Sequence, residues 1–280
     1  MMLSNQATNG NAISNHANNK EREMNTPIYT EKVDKLQVKV FADRRKMGAA
    51  AAMAVADRMK KLLAEKETIR MVFGAAPSQN EFLDTLTRIE DLPWDRVEVF
   101  HMDEYIGLAP DAEQRFSLFL RRKLFDIVKP GKVHLMDPKS ENPAEECERY
   151  TGLFEAEPID IICLGIGENG HIAFNDPPVA DFADPETVKV VELDQACRQQ
   201  QVNDKCFESI EKVPTHALTL TVPAMMSGQY LFTVVPGSNK RNAVHHTLRD
   251  DISTKCPASI LRTHENCVLF VDVDSLPVEA

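Results

Sequence analysis

Short apolar runs recur along the chain, separated by longer stretches in which apolar positions return every three or four residues. The run LQVKVF (36–41) precedes an Ala- and Met-rich helical stretch from about Arg44 to Glu65. IRMVFG (69–74), helical periodicity near Gln79 to Ile89, and VEVFHM (97–102) come next. The rhythm continues through a helix near Phe116 to Ile127, VHLM (133–136), a helix near Pro143 to Phe154, and IDIICLG (159–165). KVVEL (189–193), ALTLTV (217–222), YLFTVV (230–235), a helix near Lys240 to Leu248 and CVLFVDV (267–273) complete it. Strands rich in β-branched residues alternating with helices predict right-handed crossovers and an α/β fold. The expected architecture is a three-layer α/β/α arrangement, a mostly parallel Rossmann-like sheet with helices on both faces. Ligands in such sheets bind beyond the carboxyl ends of the strands.

Residues 1–25 depart from this pattern, being rich in Asn, Ser, Ala and Gly with few large apolar side chains. Such a segment cannot offset the entropy of ordering, so a flexible tail is expected, followed by a single α/β domain over 26–280. Hydrophobic residues make up 43% of the 280, enough for a substantial core. The formal net charge of −11 argues against sequence-independent binding to nucleic acid or to an anionic membrane. No apolar run approaches the ~20 residues that span a bilayer, and no signal peptide is recognisable, so a cytoplasmic location is expected. The six cysteines, at 147, 163, 197, 206, 256 and 267, contain no C-x-x-C pair and read as reduced thiols, most of them packing residues.

The stretch LGIGENGHIAFNDPP (164–178) contains a G-x-G-x-x-G directly after an apolar run. A dinucleotide-binding turn needs its third glycine in the opening of a helix. Pro177 and Pro178 cannot sit inside a helix that has only just begun, so that reading fails. There remains a glycine-rich strand end presenting Asn169, His171, Asn175 and Asp176 in a short loop. An isolated His in such a turn is more often structural. A neighbouring carboxylate that fixes its tautomer favours catalysis instead.

A second strand end, VEVFHMDEYIGL, places Asp103, Glu104 and Tyr105 where the sheet would open onto a crevice. Asp103 could simply cap the next element and Glu104 face water; beside the His171 loop, a carboxylate suited to proton abstraction next to a carbonyl is the sharper alternative. A third, GAAPSQ, sets Gly74, Ala75, Ala76 and Ser78 before a helix, with Glu81 completing a capping box. Backbone N–H groups there are candidates for a phosphate, although any strand-to-helix turn looks alike. Near the C-terminus, PGSNK puts Lys240 in the first turn of a helix, unfavourable against the helix dipole unless an anion is near.

Together MDEYIGL (102–108), LGIGENGHIAFNDP (164–177), VPTHALTLTV (213–222) and PGSNK (236–240) resemble the glucosamine-6-phosphate deaminases (isomerases), within the group that includes the 6-phosphogluconolactonases. The resemblance implies an enzyme of amino-sugar metabolism, formally a hydrolase, that converts an amino-sugar phosphate to fructose 6-phosphate and ammonia without metal or organic cofactor. It also implies a homo-oligomer. Carried over, Asp103 resembles the base that moves a proton between C2 and C1, and His171 the group that assists ring opening. Asn169 stands where some members have an Asp orienting that His, and Asp176 replaces the usual Glu partner, one methylene shorter. Lys240 matches the phosphate-binding Lys. GAAPSQ departs from the family's phosphate loop, and the family's phosphate-binding Arg has no clean match; Lys205 is the nearest cation, and Arg198 matches an earlier Arg. Glu104 and Tyr105 are expected to shape the pocket. A galactosamine phosphate fits the same residues, and a lactonase using His171 to activate water or a non-catalytic sugar-phosphate sensor are the alternatives.

Overall fold

The runs IRMVF, IICL and YLFTVV become neighbouring strands because they are buried on both faces, a pattern a parallel sheet satisfies by covering itself with helices. The computed structural model describes residues 26–137 and 142–276; the expected tail lies outside them. Strands β1 (Tyr29–Val33), β2 (Leu36–Phe41), β3 (Ile69–Phe73), β4 (Val97–His101), β6 (Lys132–Val133), β7 (Ile161–Leu164), β10 (Tyr230–Val235) and β11 (Cys267–Asp272) form the main sheet. Their order is β1-β2-β11-β10-β7-β3-β4-β6, and all neighbours are parallel except the β1/β2 hairpin.

Alternate residues of each strand feed different cores. Val72, Ile162, Leu231 and Leu269 face one side. Met71, Ile161, Phe232 and Phe270 face the other. Helices α1 (Arg44–Glu65) and α2 (Asn80–Leu86) cover the second side. There they are joined by α3 (Phe116–Leu120), which runs through a π-helical turn (Arg121–Phe125) into the short α4 (Asp126–Val128). Helix α5 (Pro143–Glu155), the short α7 (Val222–Met226) and α8 (Arg241–Arg249) cover the first. The expected three-layer α/β/α arrangement with a mostly parallel sheet is what the chain adopts.

Two expected strands leave that sheet. β9 (His216–Leu220) pairs antiparallel with β5 (Asp103–Tyr105) on one side and with β8 (Val188–Glu192) on the other, in a separate three-stranded sheet. β8, at the edge, is partly exposed and β9, at the centre, is buried apart from His216; antiparallel sheets accommodate a strand with one open face. The consequence for function is local: β5 continues from β4 after a single residue, and its pairing to β9 fixes Asp103 opposite Thr219.

Arg70, on β3, ties sheet to helix although it is 3% exposed. Its guanidinium donates to the carbonyls of Phe154 (3.0 Å), Leu153 (2.5 Å) and Glu157 at the end of α5, and pairs with Glu98 at 3.2 Å. It also stacks 4.7 Å from the Phe100 ring. Removing one side of a buried charged network strands the other, so Arg70→Met is expected to cost about 3–5 kcal/mol in urea unfolding.

Candidate active site

The carboxyl ends of β3, β4, β7 and β10 converge on a crevice. It is lined by Gly74, Ala75, Ala76, Ser78 and Gln79 after β3, Met102 and Asp103 after β4, and Gly165 to Gly167 after β7. His171, Ala173, Phe174, Gln200, Gln201, Phe116 and Lys240 complete the wall. The three strand ends singled out from the sequence, together with PGSNK, therefore meet in one place.

The glycines of GIGENG serve the imidazole. A Cβ on Gly167 would lie 2.2 Å from Cε1 and 2.3 Å from Nε2 of His171, so the ring rests directly on the Gly167 backbone. Gly165 lets Gln79 approach, since a Cβ there would stand 3.0 Å from its Nε2. Gly170 takes φ +85, the left-handed turn that brings the chain round to His171. No helix comes after it; Ile172 and Asn175 form an isolated bridge, and the amide of Asn175 donates to Ile172 O (2.9 Å) and Leu220 O (2.8 Å). Asn175, expected from the sequence to be a presented side chain, is instead fully buried and holds the loop against β9.

Behind the ring, Nδ1 of His171 lies 2.8 Å from Oδ1 of Asp176. Asn169 donates from Nδ2 to the same carboxylate at 2.9 Å, and its Oδ1 accepts from the His171 N–H at 3.1 Å. Burial alone would raise the Asp176 carboxyl, but the His171 contact and the Asn169 donor outweigh it and leave its pKa lowered. The shorter Asp therefore still reaches the imidazole. Neither Asn169 nor Asp176 lines the crevice, so both support His171 from behind.

Asp103 is 7% exposed and its carboxyl is pushed well above the ordinary range, first by burial and then by the charge of Glu104. Glu104 itself is fully buried, accepting from the N–H groups of Tyr105, Phe116 and Ser117 and from the Ser117 hydroxyl at 2.6 Å. It fixes the start of α3, whose first residue Phe116 lines the crevice, and does not line the crevice itself. Tyr105 packs among Phe116, Phe174 and Phe207, forming the floor beneath two crevice residues. His101 is held neutral, its pKa pulled down to about 3 by burial and by Arg115, and its Nε2 accepts from Met136 N at 2.8 Å. It is a structural histidine.

Lys240 is 4% exposed at the entrance to α8, positioned by the turn at Gly237 (φ +92). Burial lowers its pKa while Asp204 and Glu168 pull the other way. Among the described residues no carboxylate forms a salt bridge with it. Ser78 does not cap α2: it lies within a 3-10 turn (Pro77–Gln79), and Glu81 pairs with Arg44 instead. The Gly74 N–H is taken by Cys163 O at 2.8 Å, so Gly74 shapes the loop and donates nothing to a ligand.

Lys205 is not in the crevice. Helix α6 (Gln195–Asn203) ends before it, and Lys205 turns left-handed (φ +61) to line a separate groove with Gln114, Glu208 and Lys212. The face of α6 that meets the crevice carries Gln200 and Gln201, which a search for cations passes over. Arg198 is likewise spent on structure, donating to Ile210 O and Val213 O. Gln79 was also missed; its buried amide bridges Ser78 Oγ (3.2 Å) and Val234 O (3.0 Å), locking the β3 loop to β10. Amides give no titratable signal in a sequence, which is why all three escaped notice.

Residues 42–270 match the model of the family described as glucosamine-6-phosphate isomerases/6-phosphogluconolactonase. The chain belongs to that family. It is similar to the glucosamine-6-phosphate deaminase of Bacillus cereus (strain G9842), 34% identical over 212 residues, covering 76% of this chain and 78% of that one. The same identity and coverage hold for the enzyme of that name from Bacillus thuringiensis (strain Al Hakam). Among solved structures, a monomeric glucosamine-6-phosphate deaminase superposes with a TM-score of 0.79 at 27% identity, covering 86% of this chain and 99% of that one. The 6-phosphogluconolactonase of Thermotoga maritima reaches 0.70 at 24% identity, covering 85% of this chain and all of that one, and shares the fold. No helix among the described residues is long and apolar enough to cross a membrane.

Proposed function

We propose that this family member is a glucosamine-6-phosphate deaminase, with Asp103, His171 and Lys240 as its working side chains. The observation that carries the reading is the meeting, in one crevice, of a buried carboxyl, a carboxylate-backed imidazole and a buried ammonium without a salt-bridge partner. Buried charges are ordinarily paired, so Lys240 marks the place of an anion, the substrate's phosphate. Ser78 and the backbone of Ala75 and Ala76 would border the same group.

In the proposed reaction, His171 moves the proton between the ring oxygen and the anomeric hydroxyl as the pyranose opens, held in position by Asp176 and Asn169. Asp103 takes the proton from C2 and delivers it to C1, turning the aldehyde and amine into a 2-imino ketose. One water then adds to the imine and ammonia leaves, giving fructose 6-phosphate. The water consumed is the sense in which the reaction counts as a hydrolysis. The substrate's own ammonium stabilises ionised Asp103, so binding itself prepares the base.

The test is ammonia and ketose phosphate release from glucosamine 6-phosphate, with galactosamine 6-phosphate and 6-phosphogluconolactone alongside. Equimolar ammonia and fructose 6-phosphate is expected from the first. Lactone hydrolysis alone would overturn the proposal. Lys240→Met is expected to raise KM about 10-fold to 100-fold, the loss of a charge-assisted hydrogen bond, with a smaller effect on kcat. The family resemblance implies a homo-oligomer, while one structural relative is described as monomeric. Sedimentation of this chain decides between the two.

A further inference from the structure

One buried amide in the crevice does more than the folding of its loop requires. Gln79 is 1% exposed and closes the 3-10 turn Pro77–Gln79, where its Nε2 donates to Val234 O at 3.0 Å and to Ser78 Oγ at 3.2 Å. Chemistry fixes which way the amide faces. A carbonyl oxygen only accepts, so the nitrogen must point at Val234, and a flipped amide would set two acceptors against each other. Both Nε2 hydrogens are thereby engaged, while Oε1 is buried with no hydrogen-bond partner. An unpaired buried oxygen costs stability, and a methionine would fill the same space without one. The amide is there for its nitrogen. One hydrogen is enough to pin the loop to β10; the other goes to Ser78.

That second bond decides what Ser78 can do. A hydroxyl has one proton to give and two lone pairs to accept with. Its Oγ already accepts from Gln79, and among the described residues nothing accepts its proton, so the hydroxyl borders the crevice as a free donor. The Val234 contact matters too, because β10 runs directly into the turn that delivers Lys240. One amide therefore sets the Ser78 proton and ties its owner to the strand that carries the ammonium. The first glycine of GIGENG makes room for this arrangement independently. A Cβ on Gly165 would lie 3.0 Å from Gln79 Nε2, 3.6 Å from Ser78 Oγ and 3.7 Å from Val234 O, touching all three members.

We propose that Gln79 is a positioning residue for the substrate's phosphate: by donating to Ser78 Oγ it commits that hydroxyl to donating to a phosphoryl oxygen, in register with Lys240. The dianion of a phosphate monoester accepts hydrogen bonds and donates none. A hydroxyl already fixed as a donor is complementary to it without reorientation. The proposal rests on the phosphate assignment within the deaminase reading and deepens it; it does not depend on turnover.

The experiment measures the dissociation constant of inorganic phosphate by calorimetry, with KM and kcat for glucosamine 6-phosphate, across the double-mutant cycle of Ser78→Ala and Gln79→Met. Each single substitution is expected to weaken phosphate about tenfold, the loss of one hydrogen bond to a charged group. The two together should also cost about tenfold, rather than the roughly hundredfold of independent contributions, because Gln79 acts through Ser78. KM should follow the same pattern with kcat changed less than about twofold. A loop merely loosened by Gln79→Met would instead lower kcat and add its effect to that of Ser78→Ala. Additive losses in the cycle, or phosphate affinity untouched by Gln79→Met, would overturn the proposal. Should Gln79→Met fail to fold, Gly165→Ala decides, since its methyl displaces the amide from Ser78. Weaker phosphate binding is expected, with no further loss when Ser78→Ala is added; unchanged affinity, or an equal loss in the Ser78→Ala background, refutes the proposal. Wild-type protein that binds no phosphate would overturn both this role and the phosphate assignment. Wild-type protein that binds phosphate but releases no ammonia would fail the deaminase reading, and the phosphate cycle would still judge Gln79.

Discussion

Asp103→Asn is expected to lower kcat by about 10³-fold while raising the melting temperature. The first half rests on the loss of the proton carrier, since a positioned general acid or base contributes roughly 10²–10⁴-fold. The second rests on the cost of burial. The Asp103 carboxyl is held well above its ordinary pKa by desolvation and by Glu104. A carboxyl raised in the folded state binds its proton more tightly there than in the unfolded chain. Stability from this group is therefore full below the unfolded pKa and declines as pH rises toward the folded one. At neutral pH the protein carries that strain, and a neutral Asn removes it. The stability gain should shrink on going to acid, where wild-type Asp103 is itself neutral. Thermal unfolding of the two proteins at several pH values measures this, and an Asp103→Asn protein no more stable than wild type at neutral pH would contradict the electrostatic picture. The same raised pKa predicts that the acid limb of kcat/KM lies above the ordinary carboxylate range.

Gly167→Ala is expected to cost about 10²-fold in kcat/KM with little loss of stability. The added methyl would sit 2.2 Å from the His171 ring, so the imidazole must move by an ångström or more. A misplacement of that size in a catalytic group is worth about 10²-fold. Gly167 is not among the glycines with positive φ, so the backbone tolerates Ala and the effect isolates the ring's position. Gly170→Ala is the contrast: φ +85 and a Cβ 2.6 Å from Cys256 Sγ predict unfolding rather than a kinetic defect. Steady-state kinetics with urea unfolding separates the two, and an unaffected kcat/KM in Gly167→Ala would show that the ring's seat is irrelevant to turnover.

The strands buried on both faces were legible in the sequence, because runs such as IRMVF and YLFTVV admit no half-exposed arrangement. The departure of β8 and β9 into a separate sheet was not, since alternation tells which face is covered and not which strand is the neighbour. β1 carries mostly exposed residues and joins only at the edge, so it gave no apolar signal. In the crevice, the residues with charge or an imidazole could be read in advance: Asp103, His171 and Lys240 all line it. Lys205 misled because proximity in sequence to an expected position says nothing about where a helix ends. Gln79, Gln200 and Gln201 were invisible.

The measurement that bears most directly on the central claim compares glucosamine 6-phosphate with its C2-deuterated form, following ammonia and fructose 6-phosphate together. The account predicts equimolar products and a slower kcat/KM for the deuterated sugar, both lost in Asp103→Asn. Ammonia release that is indifferent to deuterium at C2 and to Asp103→Asn would contradict it.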